Sequence, residues 1–245
     1  MENRKISKTE KSLRLDFQDK QSIWLTNQNT LRKLVGILGM SLPILLTVFL
    51  YVATGHSTTL QSISHYYFTR VGGIFIIILS LLAIFLLVYK GHEPIDFYIS
   101  SIAGIFALCV VLFPTTNLGQ TCCDEKCNYA VTFLSGKTEW RANFHYISAS
   151  IFLSCLAFMA LFLFTKSNKL KTNRKKTRNV IYITCGVIML ASLLIILLGY
   201  FGILIPTDYY IKNNLTFWME SIAVESFGIS WLVKGEAILK DNTAL

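Results

Sequence analysis

Charge is what this sequence lacks. Only 15% of its 245 residues are Asp, Glu, Lys or Arg, against about 25% in an average soluble domain. So few charges cannot coat a water-soluble surface around a chain that is 53% hydrophobic. Proline is scarce too, at four residues, so long helices can run with few interruptions. There is no Gly-rich phosphate loop, no nucleophile elbow and no Cys-x-x-C pair. Those absences remove the common nucleotide-binding, α/β-hydrolase and thiol-redox readings.

What is present is apolar residues in blocks of about twenty. Each block matches the roughly 30 Å of bilayer hydrocarbon at about 1.5 Å per helical residue. The pattern predicts an all-α, polytopic membrane protein, a bundle of six transmembrane helices. The expected spans are 31–52, 71–89, 97–113, 144–164, 180–205 and 215–233. Residues 1–30 form a basic tail, with Ile23-Trp24-Leu25 as an interfacial anchor. Residues 31–234 form the six-helix domain, and 235–245 a second tail. Pro43 lies inside the first span and should kink it.

The net charge of +9 raises the question of nucleic acid. The distribution answers it. With both termini cytoplasmic, the inner segments carry 18 of the 23 Lys and Arg and the outer ones five. That asymmetry is the positive-inside rule, not a nucleic-acid patch. The expected location is the cell membrane, multi-pass, in a prokaryotic plasma membrane. Membrane lipids are the expected partners. A second copy of the chain or another membrane protein is the remaining protein partner to consider.

The longest outer loop, 114–143, holds Cys122, Cys123 and Cys127. Clustered thiols outside the cytoplasm predict one disulfide and a spare. Zinc wants four ligands, and Cys-Cys-x3-Cys supplies three, so no metal and no cofactor are expected there.

The last span is unusual because it carries two carboxylates, Glu220 and Glu225. An ionisable residue inside a span is costly and marks a candidate site. Spans two, four and six all start at the outer surface. Near those starts stand His65 and Arg70, His145, and Glu220, with Glu225 deeper. Topology therefore brings His65, Arg70, His145, Glu220 and Glu225 toward one outward-facing pocket. Five residues at 100° each set the two glutamates about 140° apart. Glu225 shares a stripe with Ser221 and Gly228 that should face other helices, while Glu220 should sit near the interface, beside Arg70 or His145. The small-residue spacings Gly72-Gly73, Ser100 with Gly104, and Ser150 with Ser154 predict close helix packing.

Three stretches carry a family likeness. They are Ser62-Ile63-Ser64-His65-Tyr66-Tyr67 leading into a span, His145 followed by Tyr146-Ile147-Ser148-Ala149, and 217–240. They resemble the prokaryotic six-span membrane family called domain of unknown function 998, over nearly all six spans. A weaker likeness is to DRAM/Sfk-type membrane proteins, some linked to lipid handling. The resemblance implies a fold but brings no activity. The chain lacks the His-xxx-His pair of the zinc-dependent membrane ceramidase and adiponectin-receptor group.

The expectation is an integral membrane protein that binds or processes a lipid or small ligand in that outward-facing pocket. Whether it is an enzyme is left open. The alternatives are a membrane scaffold or assembly protein, with the basic 165–179 loop as its contact, and a channel or transporter.

Overall fold

The computed structural model describes residues 27–91, 93–116, 139–166 and 173–240. The basic tail up to residue 26, the Cys122, Cys123 and Cys127 cluster and the last five residues lie outside that set. Among the described residues the secondary structure is all helical.

The chain runs α1 (Gln28–Thr54), a 3-10 helix (Ile63–Phe68), α2 (Gly72–Leu87), α3 (Pro94–Leu112) and α4 (Glu139–Phe158), which continues through a π-helical turn (Met159–Leu163). Then come α5 (Asn173–Tyr200), the short α6 (Thr207–Lys212) and α7 (Leu215–Lys234). Each long helix packs on its neighbours in sequence, and α7 closes the ring between α5 and α1.

Local chemistry sets the helix ends. Asn27 caps α1, its side chain accepting from the Asn29 amide at 3.0 Å. Gly55, at φ +74°, turns the chain out of α1 and donates to the Tyr51 carbonyl. The α2–α3 hairpin is tight because Pro94 opens α3 and Asp96 closes a capping box on the Glu93 amide at 3.0 Å.

α1, α3, Trp140–Leu163 and α5 are long and apolar enough to cross a membrane. α2 is apolar throughout but has 16 residues, roughly 24 Å at 1.5 Å each. α7 has 20 residues with Glu220, Glu225 and Lys234 among them, and does not join that group of four. Large apolar side chains cover the outside of the ring, among them Ile44, Val48, Ile77, Ile105 and Leu194. A belt of that kind suits hydrocarbon and not water. The chain is a membrane-embedded helical protein.

The helices start and stop a few residues away from the expected spans, most of all the fifth, which starts at Asn173 rather than 180. The fifth span stops at Tyr200 rather than 205, because Gly202 adopts φ +64° and the chain turns there. The polar stretch after Pro206 forms α6, which amphipathic reading did not single out. Small-residue contacts also sort differently. A Cβ on Gly72 would strike the Tyr67 carbonyl of the adjoining 3-10 helix, and one on Gly73 would meet nothing within 4 Å. Ser150 and Ser154 are exposed, while α4 packs through Phe152, Leu153, Leu156 and Ala157. Ser100 and Gly104 are buried, and a Cβ on Gly104 would lie 2.8 Å from the Ala83 carbonyl of α2. The closest approach not read from the sequence is α1 on α7. There Gly36 and Gly228 each occupy the space a side chain of the other would need.

Candidate site at the histidine end

Residues 56–71 link α1 to α2 and lie across the end of the bundle where α1 finishes and α7 begins. The start of α7 holds this segment. The Phe217 amide donates to the Gln61 carbonyl at 2.9 Å. The Asn214 side chain donates to the Thr59 carbonyl at 2.8 Å. The Tyr66 and Phe217 rings stand 5.9 Å apart. First-turn amides of a helix have no partner inside it, so α7 has donors to give.

The 3-10 helix has its own end to satisfy. Its N-cap, Ser62, makes no capping hydrogen bond, because its hydroxyl lies 2.7 Å from His65 Nδ1 instead. Glu220 supplies the missing acceptor from another helix. Its Oε2 accepts from the Ile63 amide at 2.6 Å. The first amides of a helix have no acceptor within it, and a carboxyl oxygen supplies one here.

His145, on α4, is buried at 2% exposure. Its Nδ1 lies 2.8 Å from the Phe113 carbonyl. A carbonyl only accepts, so Nδ1 carries the proton. Nε2 is then an acceptor, and the Ser64 hydroxyl, at 2.9 Å, donates to it. Serine, imidazole and an orienting acceptor thus lie in line. That connectivity raises the nucleophilicity of a serine. Arg141, one turn earlier on the same helix, is buried as well and lies in electrostatic reach of Tyr67 and His145.

His65 lies in electrostatic reach of His145. Its Nε2 is buried and has no hydrogen-bond partner among the described residues. The same holds for the Ser148 hydroxyl, three residues beyond His145, and the Ser221 hydroxyl, next to Glu220. Buried polar atoms are normally paired, so three such atoms near the start of α7 and the 3-10 helix call for explanation.

The five residues singled out by sequence do not all meet. His65, His145 and Glu220 gather around the 3-10 helix. Arg70, two residues beyond the end of that helix, is exposed. Glu225 is half-buried, about 7.5 Å further along α7 at 1.5 Å per residue. Glu220 bonds to a backbone amide and not to Arg70 or His145. Phe217 and Trp231 on its face of α7 are buried, and so are Ser221 and Gly228 on the Glu225 stripe, where Gly228 packs against α1. Ser64 was missed, although it stands beside His65 in the sequence. No three His, Cys, Asp or Glu side chains gather to hold a metal ion among the described residues.

Burial, and secondarily the neighbouring His145, lower the His65 pKa from 6.5 to about 4. Between those values the unfolded chain binds a proton that the folded chain refuses. The stability that His65 contributes is therefore full above pH 6.5 and is lost as pH drops toward 4. Thermal unfolding in detergent should show this decline, and His65→Asn should make it shallower. Parallel profiles for the two proteins would count against it.

No protein-family model matches the chain, and no curated protein and no solved structure was found to be similar to it.

Proposed function

We propose that the chain is a multi-pass cell-membrane protein that binds a lipid or another small ligand at its histidine end. In this reading all six long helices cross the bilayer. The histidine end faces outward and the basic end faces the cytoplasm, as the distribution of Lys and Arg favours. The observation that carries the reading is the buried Ser64–His145 pair beside the unpartnered His65 Nε2. Polar groups in a membrane-embedded bundle are costly unless they complete a network or meet a ligand. The network here is incomplete at His65, Ser148 and Ser221, which is where a ligand's hydroxyl or carbonyl groups would act.

The test is extraction of whatever stays bound through purification, identified by mass spectrometry. Wild-type protein should retain a ligand near one per chain. His65→Asn and Ser64→Ala should lose it while helix content is unchanged. Identical extracts from all three would refute the proposal.

One observation favours processing over binding alone. Ser64 donates to an imidazole whose other nitrogen is held by a carbonyl, the arrangement of an activated nucleophile. A fluorophosphonate probe should then label Ser64 in the wild type and fail in His145→Ala. Absence of labelling in the wild type leaves binding as the function.

A further inference from the structure

The opposite end of the bundle buries cations. Arg32 on α1 is 5% exposed, Arg178 on α5 is 5% exposed and Lys234 at the end of α7 is 8% exposed. Lys234 lies within electrostatic reach of Arg32, Lys175 and Arg178. Four like charges from three helices thus share one place. The one carboxylate in electrostatic reach of Lys234 among the described residues is Asp96, whose side chain also closes the α3 capping box. At the rim, Glu93 pairs with Lys166 at 2.6 Å, and Glu236 accepts from the Asn29 side chain at 3.5 Å.

The hydrogen bonds of Arg32 and Lys234 go to neutral groups. Arg32 donates to Asn29 Oδ1 at 3.1 Å, Gln28 Oε1 at 3.3 Å and the Tyr89 hydroxyl at 3.3 Å. Lys234 Nζ reaches the Phe164 carbonyl at 3.4 Å and lies 5.3 Å over the Phe164 ring. Arg178 donates to the Tyr182 hydroxyl at 3.2 and 3.3 Å. Lys175 donates to the Phe164 carbonyl at 3.3 Å.

Two donors in the same place have no acceptor. Arg32 Nε and Trp231 Nε1 are buried without a hydrogen-bond partner among the described residues. The Trp231 ring lies 5.0 Å from Tyr89 and 5.4 Å from Phe164, so it belongs to this cluster. A buried cation is tolerated when paired, and neutral oxygens do not cancel its charge. The buried charges of Arg32 and Lys234 and the two N–H donors left without an acceptor are answered by one kind of group, a compact polyvalent anion. Guanidinium forks suit phosphate oxygens, and an ammonium beside them adds a point charge.

We infer that Arg32, Lys175, Arg178 and Lys234 form a binding site for a phosphate group, either the headgroup of an anionic lipid or free phosphate. The site is independent of the ligand reading at the histidine end. Anionic lipids concentrate at the cytoplasmic leaflet, and basic pockets between helices on that side take their headgroups.

The experiment uses the full chain in detergent and in nanodiscs. Native mass spectrometry from phosphatidylglycerol nanodiscs should show one retained lipid per chain, and phosphatidylcholine nanodiscs none. Thermal shift against inorganic phosphate, with chloride at equal ionic strength as control, tests the free anion. Stabilisation by phosphate alone assigns a soluble anion, and retention of phosphatidylglycerol alone assigns a headgroup. Arg32→Gln with Arg178→Gln should weaken whichever binds by more than tenfold. Should that pair fail to fold, Lys175→Gln, on a half-buried side chain, should still weaken it severalfold. Lys176→Gln with Lys240→Gln, both exposed, should leave binding unchanged. Absence of both ligands overturns the site. So does loss that follows the exposed lysines and not Arg32 and Arg178, which would mean attraction to a charged surface only.

Discussion

Replacing Gly228 by leucine should lower the unfolding free energy in mixed micelles by about 3 kcal/mol, the top of the range for overpacking. A Cβ at Gly228 would strike Met40 Cγ and stand 2.8 Å from the Gly36 carbonyl and 3.2 Å from the Met40 amide. The methionine side chain can move aside, but the backbone of α1 cannot do so without leaving α7. Lipid tails are as apolar as the helix faces, so helices in a membrane are held by close packing rather than by escape from water. Separation of α1 from α7 therefore removes the term that holds them. Gly73→Leu is the control, because nothing lies within 4 Å of a Cβ there, and its stability should equal wild type. Equal losses at the two glycines would show that the helix contact is not the cause.

Glu220→Ala should free the segment before α2 without unfolding the bundle. Its carboxylate is the acceptor for the first amide of the 3-10 helix, and the N-cap serine is committed to His65. Leaving the Ile63 amide without its acceptor costs about 1–3 kcal/mol. Hydrogen exchange at the Ile63 amide should then accelerate roughly ten- to hundredfold. The Ser64–His145 contact lies one residue on, so ligand retention should fall with it. Glu220→Gln keeps an acceptor oxygen and should show a smaller change. An unchanged exchange rate in Glu220→Ala would mean that the segment is held from elsewhere, by Asn214 and the Phe217 amide.

Much of the fold was legible because apolar blocks near twenty residues have few other meanings. Convergence of His65, His145 and Glu220 was legible too, since alternating helices return to the same face. What hid the partners is that they are backbone groups. Nothing in the residue types announces that Glu220 caps a 3-10 helix, or that the Phe113 carbonyl fixes the tautomer of His145. Arg70 lies two residues beyond the 3-10 helix and is exposed, which its place in the sequence did not announce. At the basic end the difficulty was different. Arg32, Arg178 and Lys234 read as topological anchors by position. Their long side chains fold back onto Tyr89, Tyr182 and Phe164, and the position of a flexible charge does not follow from its residue number.

Both functional readings rest on a bundle whose two polar ends lie on opposite sides of one membrane. Cysteine labelling in intact cells tests this most directly. The six native cysteines are replaced by serine, and single cysteines are placed at the exposed positions Thr58 and Lys176. A membrane-impermeant maleimide should label position 58 from outside and position 176 only after permeabilisation. Labelling of both from the same side, or of 176 alone in intact cells, would contradict the account.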